Sequence, residues 1–320
     1  MPNHTSTTIV AWKKLSRRSE LLAKALNAKL WFFPDNLPYA RAAFKTLLKT
    51  IREKPRIMIV QLPQGPLLLE ALILRKLIGC RVIADVHTGF LLSTDWKGLL
   101  LNAPFVKLLH KADIVTAHNN AQLRLIPKKA ENKTIVVFDQ WHLAVESKGN
   151  GNPAEQGKYM VFPASFASDE PLEEVIDSIN QFNINVKMYI TGNWKRQPTL
   201  KEKYASNRIV FTGFLPPEEF SSLLANATAI VTGTKREYTS LMSGWEAVAY
   251  AKPLAVTETR TLKDLFGDYA VFYDWRNSQS IANAVKKVLE SKPNLPAREK
   301  LRLRTVQSLE HLKRIMQELS

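Results

Sequence analysis

The sequence predicts an α/β protein made of two doubly wound halves. Three observations carry that reading. Short apolar runs alternate with helical periodicity almost from end to end, the pattern of parallel sheets with helices on both faces. One polar segment rich in Gly and Asn, residues 146–157, interrupts the alternation near the middle and reads as a linker. A length of 320 residues suits two domains better than one.

In order along the first half, strands are expected at 8–12, 29–33, 56–62, 81–87, 114–117 and 134–138. Helices are expected at about 17–26, 40–52, 67–78, 98–111 and 121–129. The second half repeats the pattern, with apolar runs at 158–163, 186–191, 208–212, 229–231 and 254–256, and alternation continuing to about Val285. The last segment, from about Pro296 to Leu319, reads as one long amphipathic helix. The expected organisation is an N-terminal domain over 1–145, a C-terminal domain over 158–295 and a closing helix over 296–320.

Composition narrows the function. The formal charge is +16, and residues 1–150 hold 23 Lys and Arg against 10 Asp and Glu, so +13 of it lies in the first half. Such asymmetry points to an anionic partner for that half. Lys13, Lys14, Arg17 and Arg18, with Trp96, Leu99, Leu100, Leu101 and Phe105 near Lys97 and Lys107, form the combination of basic, aromatic and Leu-rich surface that suits an anionic membrane. Nucleic acid ranks last as a partner, because no aromatic residues interleave with these cations in a recognisable motif. No apolar run reaches the ~20 residues of a membrane span. The N-terminus lacks the charged-then-apolar order of a signal peptide. The expected location is cytoplasmic, with a peripheral place at the inner face of the cell membrane. A single cysteine, Cys80, leaves no internal disulfide and no cysteine metal cluster. GxGxxG, P-loop and HExxH motifs are missing, which argues against nicotinamide, Walker-type and zincin chemistry.

The most informative segment runs from Glu237 to Thr259. An apolar run at 229–231 leads to a polar loop, a helix containing Glu246, a stop at Lys252 and Pro253, and a second apolar run at 254–256. This strand–loop–helix–strand places the loop at the carboxyl end of a strand, where open α/β sheets bind ligands. Leu241, Met242, Ser243 and Gly244 would offer backbone N–H groups to a phosphate at the helix start. Glu246 would accept from the two hydroxyls of a ribose.

The segment resembles the donor-sugar signature of GT-B glycosyltransferases, glycosyltransferase family 4 in particular. Trp245-Glu246-Ala247-Val248-Ala249 and Ala251-Lys252-Pro253-Leu254 match its second half, whereas Glu237 stands nine positions before Glu246 where the family has eight. The resemblance extends through Lys158–Ser165, Val186–Gly192 and Arg208–Leu215. It implies two Rossmann-like domains facing across a cleft, a metal-independent reaction with retention of configuration, and a nucleotide-diphosphate sugar held by the second domain. Ser165, Gly192, Gly213 and Phe214 would line that donor site, with the base beside the last two. Acids stand at 169–170 where the family has a cation, so Lys195, Arg196 or Lys235 would hold the diphosphate. Glu237 and His87 are the candidate catalytic residues. His87 follows a strand of the first half, and Asp85, two residues earlier, would orient it; His118 ends another strand in the same way. The expected function is transfer of a sugar to a glycan or lipid-linked glycan precursor in polysaccharide biosynthesis, with no cofactor. The rivals are a nucleotide-sugar epimerase of the same architecture and a non-catalytic protein that binds a partner.

Overall fold

The computed structural model describes residues 6–92, 96–143 and 158–319. The linker at 146–157 and the side chains of Trp96, Lys97, Leu99, Leu100 and Leu101 lie outside the described residues. The chain divides into two compact units, residues 1–140 with 303–320, and residues 141–302.

Unit 1 contains β1 (Thr7–Trp12), α1 (Arg17–Leu26), β2 (Lys29–Phe33), α2 (Ala40–Glu53), β3 (Ile57–Leu62), α3 (Gly65–Ile78), β4 (Arg81–Val86), α4 (Thr88–Leu91), α5 (Trp96–Val106), β5 (Ile114–Ala117), α6 (Lys128–Glu131) and β6 (Thr134–Val136). Its six strands are all parallel, in the order β2-β1-β3-β4-β5-β6. Period-two alternation sends the side chains of this sheet to two cores. Val10, Met58, Val60 and Val82 pack under α2 and α3. Ile9, Ile57, Ile59 and Ile83 pack against α1 and against Leu309, Leu312 and Met316 of the C-terminal helix. Cys80, the free cysteine, is buried in the first of these cores.

Unit 2 contains β7 (Tyr159–Pro163), α7 (Leu172–Gln181), β8 (Lys187–Thr191), α8 (Pro198–Tyr204), β9 (Ile209–Gly213), α9 (Pro217–Asn226), β10 (Ala229–Thr232), α10 (Met242–Ala249), β11 (Leu254–Thr257), α11 (Arg260–Phe266), β12 (Ala270–Tyr273) and α12 (Ser278–Glu290). Its sheet is also parallel, in the order β12-β11-β10-β7-β8-β9. The last helix, α13 (Leu295–Leu319), belongs to unit 2 up to Arg302 and to unit 1 from Leu303.

Two predicted helices are not formed as such. Residues 121–129 fold as a 3-10 turn over Asn120–Leu125 followed by the four-residue α6. Pro127 is the cause: it has no N–H to donate and disfavours helical backbone at Ile126, whose ψ is 133°. The helix expected over 98–111 likewise stops at Val106 and resumes as a 3-10 turn over Leu109–Lys111.

Both strand orders place a switch point in the sheet. In unit 2 it falls between β7 and β10, because β8 and β9 follow on one side and β11 and β12 on the other. Loops leaving the two strands part there and open a crevice, the usual ligand position of an open α/β sheet. In unit 1 the switch point lies between β1 and β3.

Candidate active site

The unit 2 switch point gathers most of the predicted site residues. Ser165 leaves β7, Lys195 and Arg196 follow β8, and Lys235 follows β10, three strands that are neighbours in the sheet. Arg196 Nη1 donates to Ser165 O at 2.8 Å, so a cation of the β8 loop stands at the β7 loop. Lys195 is exposed beside it. Lys235 is engaged differently: its Nζ lies 2.5 Å from a Glu174 oxygen and 4.9 Å from the Trp275 ring centre. A pocket of about 240 Å³ lies here, lined by Phe166, Ser168, Glu170, Glu174, Gln197 and Lys235 among others.

Glu170, which the sequence reading counted only as a misplaced acid, has a defined task. Its carboxylate accepts from Ser165 N (2.9 Å), Ser165 Oγ (2.7 Å) and Phe166 N (2.8 Å). Burial pushes this carboxyl up, and the three donors pull in the opposite direction without cancelling it. An internal carboxylate therefore sits on the backbone amides that follow β7. Gly192 explains the tightness of the adjoining turn. Its φ is +101°, and a Cβ there would fall 2.0 Å from Ala164 O, so no side chain fits. Gly213 closes β9 at φ +78°, and Phe214 after it is the most exposed large apolar residue described, at 82%.

The loop from β10 to α10 is fixed by its hydroxyls. Thr234 Oγ1 donates to Asp169 at 2.6 Å, Thr234 N donates to Thr257 Oγ1 at 2.9 Å, and Tyr238 N donates to Thr261 Oγ1 at 2.9 Å. Glu237 accepts from Arg260 N (3.0 Å), Thr261 N (3.2 Å) and Thr261 Oγ1 (3.0 Å). It thus anchors the loop on the first turn of α11, where the positive end of a helix favours a carboxylate. Arg236, the neighbour that could have paired with it, lies instead 3.8 Å from Asp169.

Helix α10 begins at Met242, with Leu241 as its N-cap and no side-chain cap; Gly244 N and Trp245 N donate back to Leu241 O at 3.1 and 3.2 Å, so the N–H groups of Met242 and Ser243 are the ones left to other acceptors. Ser243 Oγ is 2.7 Å from Thr232 Oγ1. Gly244 is required by packing: a Cβ there would meet the Phe266 ring at 2.5 Å. Glu246 sits in the second turn of α10, half-buried, on a helix otherwise packed by Trp245, Ala247 and Val248.

Unit 1 carries a second constellation, at the ends of β4 and β5. Arg18 of α1 is 5% exposed and donates through Nε and Nη2 to Asp85, at 3.2 and 2.9 Å, and through Nη1 to Asp139 at 3.2 Å. Thr116 Oγ1 donates to the same Asp85 oxygen at 2.7 Å. His87 Nε2 lies 3.6 Å and His118 Nε2 3.9 Å from the other Asp85 oxygen, and the two rings meet edge-on at 4.5 Å. Neither Nε2 makes a hydrogen bond. Burial pushes the Asp85 carboxyl up, but the Arg18 charge and the imidazoles outweigh it and hold Asp85 well below the usual carboxylate range. Burial, with Arg18 next, holds His118 well below the usual imidazole range, so it is neutral. Donor atoms of Asp85, His87 and His118 lie within 4.8 Å of one another, a spacing that could hold a cation, but the guanidinium on the same carboxylate opposes one.

This arrangement corrects the basic surface patch expected from the sequence. Arg18 is an interior ion-pair partner, and Arg17 pairs with Glu20 at 3.0 Å. Phe105 packs against the core. Lys13 and Lys14 remain exposed, in the loop after β1 at the unit 1 switch point. Sequence reading also missed Asp139. Two signals were available: Arg18 stands on the apolar face of α1 with Leu21 and Leu22, three and four residues on, and Asp139 follows an apolar run as His87 does.

The profile of the family Glycosyl transferases group 1 matches residues 146–306, half of the chain. The chain belongs to that family. Its fold is that of GT-B glycosyltransferases. Sucrose-phosphate synthase from Thermosynechococcus elongatus superposes with a TM-score of 0.75 at 12% identity, covering 98% of this chain and 99% of that one. HepE from Anabaena, in complex with UDP and glucose, gives 0.75 at 14% identity, covering 98% and 100%. A UDP-forming α,α-trehalose-phosphate synthase from Burkholderia xenovorans, in complex with glucose-6-phosphate, gives 0.66 at 12%, covering 88% and 76%. No curated protein matches the sequence. The protein is therefore a glycosyltransferase, and the matched region holds the whole β7–β10 crevice described above.

Proposed function

We propose that this glycosyltransferase is a member of family 4 that takes a nucleotide-diphosphate sugar at the unit 2 switch point. The observation that carries the reading is the β10–α10 segment: an uncapped helix start, Glu246 one turn further on, and Arg196 at the neighbouring β7 loop. Glu246 binds the ribose, the Met242 and Ser243 amides at the start of α10 with Lys195 and Arg196 hold the diphosphate, and Phe214 with Gly213 flanks the base. Departure of a nucleoside diphosphate develops negative charge on its terminal phosphate, which those amides and cations stabilise. Lys235 contributes only after leaving Glu174. Glu237 uses three of about four acceptor positions of its carboxylate. It enters as the acid that sets the loop, with one lone pair left for a sugar hydroxyl. His87, oriented by Asp85, takes the proton of the acceptor hydroxyl.

A uridine nucleotide is the first donor to try, since HepE binds UDP and UDP-glucose. On the family 4 resemblance the reaction retains configuration and needs no metal. The acceptor is a glycan or lipid-linked glycan precursor of polysaccharide biosynthesis, taken at the inner face of the cell membrane. The test is binding and slow hydrolysis of UDP-, GDP- and ADP-sugars by wild type and Glu246→Ala. One donor bound tightly, and at least tenfold more weakly by the variant, supports the reading. Equal binding by both proteins removes Glu246 from the site.

A further inference from the structure

The apolar surface of this protein is concentrated. Thirteen large apolar side chains are exposed among the described residues, and six of them lie on two adjacent helices of unit 1. Phe44, Leu48 and Ile51 recur at i, i+4 and i+7 on α2. Leu69, Ile73 and Leu77 recur at i, i+4 and i+8 on α3. Each set is one stripe of its helix, and each residue is 42–65% exposed. Both helices cover the same core, in which Ala42 of α2 and Leu67, Leu68 and Ala71 of α3 are buried, so the stripes share the outer face of one layer. Leu37, just before α2, is exposed as well. The helices of the second sheet serve as a control: among the described residues, α7 to α12 expose no large apolar side chain.

Charge decides what such a face would meet. The two helices carry six basic residues, Arg41, Lys45, Lys49, Arg52, Arg75 and Lys76, against two acids, Glu53 and Glu70. Lys45 pairs with Asp35 at 3.1 Å, Arg75 with Asp113 at 3.3 Å, and Lys49 lies 4.0 Å from Glu53, so Arg41, Arg52 and Lys76 are the cations that carry the excess. Burial without a hydrogen-bond partner pushes Glu70 up to about 8, which reduces the negative charge it offers at neutral pH. A second copy of this chain would bring the same cations and a net +16 against them. An apolar stripe flanked by cations on an amphipathic helix is complementary to anionic headgroups over acyl chains.

We propose that the outer face of α2 and α3 docks on an anionic lipid bilayer, with Phe44, Leu48, Leu69 and Ile73 entering the acyl boundary and Arg41, Arg52 and Lys76 reaching headgroup phosphates. The inference deepens the membrane side of the reading above and rests on it only for why the acceptor is met there. It also moves the contact away from Arg17, Arg18 and Phe105.

Flotation of the full chain with vesicles of phosphatidylcholine, with and without phosphatidylglycerol, tests it. Wild type should float with the anionic vesicles, lose that binding as salt rises, and stay unbound with phosphatidylcholine alone. Leu48→Ser with Ile73→Ser should weaken binding by roughly tenfold or more, and Arg41→Glu with Arg52→Glu should weaken it most at low salt. Both substituted pairs are exposed, and an unchanged thermal midpoint confirms that each variant is folded. UDP-sugar binding is measured in parallel. Lost flotation with donor binding intact is the expected result for the apolar pair. Wild type that ignores anionic vesicles while binding donor overturns the docking face and leaves the donor site standing. Flotation that persists in both variants, or a concentration-dependent dimer that the apolar pair breaks in sedimentation velocity, also overturns it. Vesicle binding without donor binding sinks the donor site and leaves the docking face.

Discussion

The carboxyl ends of the two sheets solve one electrostatic problem in opposite ways. At β4 and β5 the charges are interior: Arg18 pairs side chain to side chain with both Asp85 and Asp139, each of the three at most 5% exposed. At β7 and β10 the acids sit nearer solvent and settle on backbone amides, Glu170 on the β7 loop and Glu237 on the start of α11. Buried pairs are costly to disturb and rigid. Carboxylates on loop amides hold a conformation and can still exchange for another anion. The comparison teaches that the first region is built for fixed positioning and the second for exchanging ligands.

Arg18→Met should break that contrast most severely. It leaves two buried carboxylates without their cation, a loss of about 3–5 kcal/mol by urea unfolding. A loss below 1 kcal/mol would show the triad to be wet and would end the distinction. Gly244→Ala comes next, at about 1–3 kcal/mol, because the new Cβ strikes the Phe266 ring. Phe266→Leu in the same chain should recover part of it, whereas no recovery would mean that the strain lies elsewhere. Glu237→Gln keeps the shape but removes the charge at the α11 start. About 1 kcal/mol of stability should go, together with a measurable fall in donor affinity. Unchanged donor affinity would reduce Glu237 to a helix cap.

The smallest effect is one of pH. Asp85 and His118 both titrate lower in the folded chain than in the unfolded one. Each then contributes stability that is present above its unfolded pKa and is lost as pH falls below it. For His118 the loss starts below about 6.5, and for Asp85 below about 4. His118→Gln should flatten the stability profile between pH 7 and 5 while leaving the acid limb below pH 4 steep. A slope unaltered by His118→Gln would place the titration elsewhere.

The alternation of periods made the two sheets and their flanking helices legible from sequence, because burial of a sheet face and of a helix stripe leaves a regular mark at 2 and 3.6 residues. The position of Arg196 was legible for a related reason: loops at strand ends are where such sheets place chemistry, and the structure brings Arg196 to Ser165. Other features depend on partners far along the chain. Arg18 meets Asp85 across 67 residues and Asp139 across 121, so composition counted it as surface charge. Glu237 reaches α11 across 23 residues, and spacing to Glu246 said nothing of that. The short helices around Pro127 show local chemistry overriding a periodic pattern.

The lone thiol has a practical consequence. Cys80 lies in the core beneath α2 and α3, 2% exposed, and burial pushes it up to about 11. Thiolate is the species that alkylates, so iodoacetamide should leave the native protein unmarked. Modification then becomes a clock for opening of that one layer, read by mass shift without any label or substitution. The silent background also means that a single cysteine placed on Leu69 or Phe214 would carry a fluorophore at one known address.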